Sequence, residues 1–421
     1  MNAADLGPVP DADQTQRPFD LFLIFVGANI VATTLQVGAS LVGKLPTGSA
    51  LVVIAIGAIA GAGLVAALAP LGTRLRVPSI IASRAALGIT GAHLLALLLF
   101  VTNFAWIALN NVIAASVCAR LAGGEGSMPV WAVGLGVVTT IVVAGGPRMV
   151  SLADRWAVPM LFVTGVAFTV ACLRAPLPVG PATAAPAEWW RGLDIVAGYQ
   201  VSWLLMFGDY SRYVRSARGA TIAVFLGLAL TALWYVPLGF VAASIAKSDD
   251  PGAMVFTLGL GWWGAALLTL ATLTTNFVNI YMSALALKSL RPGTGGQTAV
   301  WTIGGIGAAI SVLSSAWLAW FGGLTLFIAG TLVPVGGVLL AHYFVLRRPV
   351  VVAHLYDAAG PYGRRGGFSI AGLTAWIAGA LAFYAAGDHG GVLPSLIVTL
   401  VVYVLVERAA SRSPARLSEP S

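Results

Sequence analysis

Asn103, Trp106 and Asn110 recur at i, i+3 and i+7, a spacing that puts all three on one face of a helix. That face offers a flat aromatic ring flanked by two amides. Stacking area beside donor–acceptor pairs is what a planar heterocycle needs. A second set holds Thr272, Thr274, Thr275, Asn276 and Asn279. Thr275 and Asn279 are i, i+4, and Asn276 and Asn279 are i, i+3, so their oxygens cluster. Hydroxyls and amide oxygens are hard ligands suited to an alkali cation. Two more polar groups complete the pattern: Thr33, Thr34 and Gln36 between Gly27 and Gly38, and Gln200 with Ser202 after Gly198 and Tyr199. Hydrogen bonding between helices is the competing use of such residues.

Other chemistries lack their residues. No carboxylate lies near the middle of an apolar run, which leaves no acid–base pair and weakens a proton relay. His93, His342, His354 and His389 sit near run ends or in loops, and no metal-ligand or Ser–His–Asp spacing occurs. An enzyme is therefore not expected.

The elements that must position these residues are membrane helices. The chain has 421 residues, of which 9% are charged and 58% hydrophobic, with mean hydropathy +0.91. A soluble domain carries about 25% charged residues. A soluble enzyme, a disordered chain and a nucleic-acid binder are excluded on that ground. Cys118 and Cys172 both fall in apolar runs and read as packing residues. A crossing helix needs about 20 mainly apolar residues. Twelve segments qualify: 20–43, 48–72, 86–121, 129–145, 156–173, 192–208, 219–246, 262–287, 298–315, 322–346, 368–386 and 391–407. The polar residues 1–19 contain no signal peptide and read as a disordered cytoplasmic tail. Lys and Arg gather at one side of this layout. The other side holds only Lys44, Arg120, Arg174, Arg191 and Lys247 of the 23. Both termini are then cytoplasmic and the protein is integral to the cell (inner) membrane. Gly57 and Gly61, one helical turn apart, read as a close helix-packing face.

The first and sixth segments are alike. Each is a glycine-punctuated apolar run with polar residues at its centre, and they stand five helices apart. Discontinuous helices at matching positions of two inverted halves mark the substrate and ion site of many secondary transporters. The expected organisation is a first repeat over 20–174, a second over 175–346, a peripheral pair with its preceding loop over 347–407, and a cytoplasmic tail over 408–421.

Four motifs carry a family resemblance. They are RVPSIIASRAALGITG from Arg76 to Gly91, GDYSRY from Gly208 to Tyr213, TTNFVNIYMSALAL from Thr274 to Leu287, and PVGGVLLAHYF from Pro334 to Phe344. Together they resemble the nucleobase–cation symporters that include cytosine permeases and hydantoin carriers. Gly208 stands where the family usually has Pro, and His342 where it usually has Asp. The resemblance implies an all-α, leucine-transporter-like fold, a 5+5 inverted repeat plus two peripheral helices. It implies that Ala32 and Leu35 give carbonyls to sodium, with Ala271 adding a carbonyl and Thr274 and Thr275 hydroxyls. It implies that Gln36 contacts substrate, that Trp106 stacks on its ring, and that Asn110 replaces a substrate-binding Gln. Gln200 aligns with a second stacking Trp of the hydantoin carriers, leaving Trp203 or Tyr199 as the second ring. Asn279 is the expected polar contact from the eighth helix, with Asn276 close in alignment. Asn103 joins the substrate set through its shared face with Trp106.

The expected function is import of a nucleobase of the cytosine or purine type, or a related planar heterocycle, coupled to a cation, sodium above others. A proton-coupled or uncoupled permease is the alternative, and a polytopic enzyme or receptor the reading from another class. Expected partners are the small-molecule substrate and the bilayer, with no nucleic acid and no cofactor beyond the coupling ion.

Overall fold

A computed structural model describes residues 6–122, 124–175, 183–291 and 293–412. Regular structure among them is helical, apart from one isolated bridge between Gln16 and Val214. In chain order the helices are α1 (Pro18–Asn29), α2 (Ala32–Ala39), α3 (Thr47–Leu75), α4 (Ser79–Leu87), α5 (Ile89–Leu121), α6 (Met128–Ala144), α7 (Pro147–Arg174), α8 (Pro186–Val201) and α9 (Phe207–Ser211). They continue as α10 (Ala217–Ala246), α11 (Pro251–Thr257), α12 (Gly261–Leu290), α13 (Gly296–Ile310), α14 (Ser314–Ala319), α15 (Phe321–Leu340), the one-turn α16 (Arg364–Gly367), α17 (Ile370–Ala385) and α18 (Val392–Arg412).

Seven described helices are long and apolar enough to cross a membrane, eight if the bent pair α1–α2 is one span. α6 and residues 159–174 are apolar but shorter. Several starts follow from local chemistry. Pro18, Pro186 and Pro251 open α1, α8 and α11, where a missing N–H costs nothing. Asp250, Ser216 and Ser369 cap α11, α10 and α17 with side-chain oxygens. Gly88 splits the expected third segment: its φ of 82° ends α4 and starts α5.

Two expected spans are discontinuous. α1 and α2 meet at 57°. The break lies at Ile30–Val31, ahead of the Ala32 and Leu35 carbonyls that the resemblance implies for sodium, and α2 runs unbroken from Ala32 to Ala39. Asn29 pins the break by donating to the Leu228 carbonyl (3.2 Å) and to Thr231 Oγ1 (2.8 Å) of α10. The sixth segment ends its regular helix at Val201, passes through a 3-10 turn over Ser202–Met206, and resumes as α9.

Glycine allows the closest packing. A Cβ at Gly57 or Gly61 would come within 2.8 Å of Val196 Cβ or 2.7 Å of the Ala197 carbonyl oxygen, so α3 lies directly on α8. Gly38 abuts the Val236 carbonyl and Gly239 the Leu35 carbonyl, which presses α2 onto α10.

The N-terminal segment was expected as a disordered tail, yet from Leu6 onward it makes defined contacts. Gln14 Nε2 donates to the carbonyls of Thr73 and Arg212 at 3.1 and 3.0 Å. Val9 is buried, its N–H bonds the Arg76 carbonyl at 2.9 Å, and Asp11 pairs with Arg76. Polar composition did not imply disorder here because the partners are backbone carbonyls at helix ends, which need donors.

Candidate functional site

The site forms where the two discontinuous helices meet α5 and α12. Breaking a helix strips backbone groups of their intrahelical partners, so a break is tolerated at membrane depth only when it is buried in protein or lines a cavity. Val31 and Thr33 from the first break and Ser202, Trp203 and Met206 from the second all line one central cavity. α5 adds Leu99, Asn103, Trp106 and Asn110, and α12 adds Thr275, Asn279 and Met282. The cavity has a volume of about 40 Å³.

Its aromatic wall is held in place by hydrogen bonds. Trp106 meets Tyr199 edge to face at 5.8 Å and Phe321 at 6.3 Å. Tyr199 Oη lies 2.7 Å from Thr34 Oγ1 and 3.0 Å from Thr33 Oγ1. Thr34 gives its own proton to the Asn29 carbonyl at 2.6 Å. Tyr199 therefore donates to Thr34 and accepts from Thr33, and the chain of hydroxyls ties α8 to the break in the first helix.

Three polar atoms on the cavity wall have no such partner. Asn110 donates through Nδ2 to the Trp106 carbonyl at 2.9 Å, but its Oδ1 is buried without a hydrogen bond. Asn103 Nδ2 and Trp203 Nε1 are likewise buried and unbonded. A buried polar group without a partner costs about 1–3 kcal/mol. One acceptor and two donors, all without partners, belong to residues that line one aromatic-walled space, an arrangement suited to a ligand carrying the complementary groups.

Six of the residues expected to contact substrate thus come together: Asn103, Trp106, Asn110, Tyr199, Trp203 and Asn279. Three do not. Gln36 lines a separate opening with Lys44, Arg191, Lys247, Asp249 and Phe321. Gln200 points between α3 and α10, with its Nε2 3.4 Å from the Leu228 carbonyl and its Cβ against Gly61. Periodicity along one helix does not say which neighbouring helix a side chain meets. Asn276 belongs to an interhelical chain. It donates to Asn111 Oδ1 at 2.7 Å and to the Ile107 carbonyl at 3.2 Å. Asn111 in turn donates to Ser311 Oγ at 3.0 Å. Asn279 joins this chain by donating to Asn276 at 3.4 Å, so Asn276 positions a cavity residue without lining the cavity.

Among the residues expected to hold a cation, Thr275 reaches the cavity. Thr274 is half-buried and is not among the residues that line it. Ala32 and Leu35 lie inside α2, and the Leu35 carbonyl faces Gly239. The side chain of Ala271 lies outside the described residues. Phe321 carried no periodic signal in the sequence. It stands at the first position of α15, lines the Lys44–Lys247 opening and touches Trp106, so it separates that opening from the central cavity.

A family model described as a permease for cytosine/purines, uracil, thiamine, allantoin matches residues 8–404. The chain belongs to that family. The permease is 24% identical over 378 residues to the putative purine-cytosine permease YxlA of Bacillus subtilis (strain 168), covering 85% of this chain and 82% of the relative. It is 26% identical over 360 residues to the cytosine permease of Escherichia coli (strain K12), covering 81% of each. Its fold resembles that of Mhp1, a nucleobase-cation-symport-1 family transporter, in a closed conformation with bromovinylhydantoin bound. The TM-score is 0.81 at 18% identity, covering 98% of this chain and 96% of Mhp1. A Na+-coupled sialic acid symporter in an outward-open state matches at TM-score 0.63 and 12% identity, over 100% and 93% of the two chains. The permease is thus a transporter with an all-helical, leucine-transporter-like fold, integral to a membrane, and not an enzyme.

The asparagine chain gives a stability expectation. Asn111→Ala removes one acceptor of Asn276 and the donor to Ser311, which should destabilise the permease by about 1–3 kcal/mol. A lower unfolding midpoint of the detergent-purified protein is expected. An unchanged midpoint would mean that these bonds do not hold α5, α12 and α13 together.

Proposed function

We propose that the permease imports a nucleobase of the cytosine or purine type, or a close planar heterocycle, by cation-coupled alternating access. The single observation that carries this reading is the set of three orphaned polar atoms, Asn103 Nδ2, Asn110 Oδ1 and Trp203 Nε1, around the Trp106 ring. A base presents both ring faces for stacking and both donors and acceptors at its edge. Family membership, and the hydantoin bound by the neighbouring Mhp1, support the same substrate class.

Twelve spans, a 5+5 inverted repeat with α17 and α18 peripheral, and cytoplasmic termini in the inner membrane complete the proposal. The two breaks, one in each proposed half, support the repeat. The Lys/Arg asymmetry supports the orientation. The opening lined by Lys44, Arg191 and Lys247 then faces outward, closed from the site by Phe321 and Trp106.

Sodium is the proposed coupling ion. The last carbonyls of α1 lose their intrahelical partners at the break, and Thr275 on α12 lines the same cavity as Val31 and Thr33. Neutral oxygens of this kind can replace part of a sodium hydration shell. The cation site of this reading sits at Ile30–Val31, with Thr274 and Thr275, and its carbonyls come from the break in place of Leu35. Coupling is reciprocal, so sodium should tighten substrate binding, by about ten-fold for a typical coupling energy. The test is uptake of one labelled base against a panel of unlabelled bases, in sodium and in choline at fixed pH. Thr274→Ala/Thr275→Ala should abolish the sodium effect. Competition by no planar base would remove the substrate assignment. Affinity that ignores sodium and follows a pH gradient would replace sodium by protons.

A further inference from the structure

A second cavity opens beside Ala410 near the end of α18 and shares no lining residue with the central site. Its volume is about 750 Å³, between the α4–α5 junction, the end of α15, the α16 turn, α17 and α18. Arg348, Arg364 and Arg365 line it, with Glu407 as the one carboxylate among its lining residues. Arg348 and Glu407 pair at 3.1 Å. Among the described lining residues the arginines outnumber the carboxylates. His342 sits in the same wall, 6% exposed, with Nδ1 2.7 Å from Tyr403 Oη and Nε2 buried without a partner. Neither the Arg364–Arg365 pair nor the orphaned His342 nitrogen takes part in the central cavity.

The arginines are held there by the backbone. Arg365, Gly366 and Gly367 have φ of 57°, 70° and 76°, a run of left-handed conformation that turns the chain sharply. The turn is stitched to the α4–α5 junction on three sides. The Ser369 N–H donates to the Leu87 carbonyl at 2.8 Å, the Ile89 N–H to Tyr362 at 3.1 Å, and Thr90 Oγ1 to Gly366 at 2.7 Å. The opposite wall is apolar, with Phe368, Ile370, Val406 and Ala410. α17 and α18 are the least buried of the long apolar helices, at 28% and 17%, so this wall continues into the lipid-facing surface.

We propose that this cavity binds a phosphate-bearing anion, through Arg364, Arg365 and the unpaired nitrogen of His342. Guanidinium forks match phosphate oxygens in geometry and charge, and the arginines outnumber the carboxylates on the described lining. The chemistry is common to an anionic phospholipid headgroup, whose acyl chains the apolar wall would accept, and to free phosphate. An occupant would bridge α17 and α18 to the α4–α5 junction and so brace the outer helices on the bundle. The inference does not depend on what the central site carries.

The experiment is thermal unfolding of the full-length protein in detergent, titrated with phosphatidylglycerol, phosphatidylcholine or inorganic phosphate. The parent, Arg364→Gln/Arg365→Gln and a charge-matched control, Arg218→Gln/Arg291→Gln, are compared. Phosphatidylglycerol should raise the midpoint of parent and control alike, and the cavity variant should need about ten-fold more. A shift with phosphatidylglycerol alone identifies a lipid headgroup, and one with inorganic phosphate as well identifies the free anion. Arg365→Gln alone, at an exposed position, gives the same readout if the double variant does not accumulate. No shift with either anion, an equal shift with phosphatidylcholine, or an equal loss in the control would overturn the site.

Discussion

Trp106→Ala is expected to weaken base binding by about ten- to a hundred-fold, since stacking on an aromatic ring is worth about 1–3 kcal/mol per base. The ring forms one wall of the central cavity and is itself braced by Tyr199 at 5.8 Å and Phe321 at 6.3 Å. Truncation removes the stacking face and also the barrier toward the Lys44–Lys247 opening. The affinity loss should therefore come with faster leak of bound base toward that side. Trp106→Phe keeps a ring and should recover most of the affinity. Competition binding on membranes with matched protein amounts measures both variants. Parent-like affinity in a well-inserted Trp106→Ala protein would take the ring out of the site.

Asn103→Leu should separate affinity from stability. Asn103 is 5% exposed, and its Nδ2 has no hydrogen-bond partner within the protein. Replacing it with an apolar side chain of similar size removes an unsatisfied buried donor, so the unliganded protein should unfold at the same or a higher temperature. The substrate acceptor that this donor meets would instead be stranded, which weakens binding by about ten- to a hundred-fold. Asn111→Ala has the opposite signature, because every polar atom of its side-chain chain to Asn276 and Ser311 is already committed within the protein. Thermal unfolding and competition binding on the two variants form a crossed test. Lower stability together with unchanged affinity in Asn103→Leu would assign Asn103 to packing.

These two asparagines also show where reading along the chain stops. Both are polar residues among apolar neighbours on α5. Spacing placed Asn103 on the face of Trp106 and Asn110, and the cavity contains all three. The same reasoning on α12 grouped Asn276 with Asn279, yet one feeds an interhelical chain and the other reaches the cavity. The 100° step between successive helical residues is an intrachain rule. Which side of α12 meets α5, and which meets the void, depends on the docking of both helices.

Composition and periodicity alone determined that this chain is a helical membrane protein, and its motifs determined the permease family. Those properties depend on residue type and short-range spacing, which the sequence states outright. The polar centre of the first segment located a discontinuity, but only the structure set it at Ile30–Val31, because Asn29 finds its partners on α10, 199 and 202 residues away. Tertiary packing likewise sent Gln200 toward α10 and Gln36 to the Lys44–Lys247 opening, and brought Phe321 onto Trp106 from the start of α15. A polar side chain takes whichever long-range partner removes its desolvation cost, and that partner is defined only once the helices have docked.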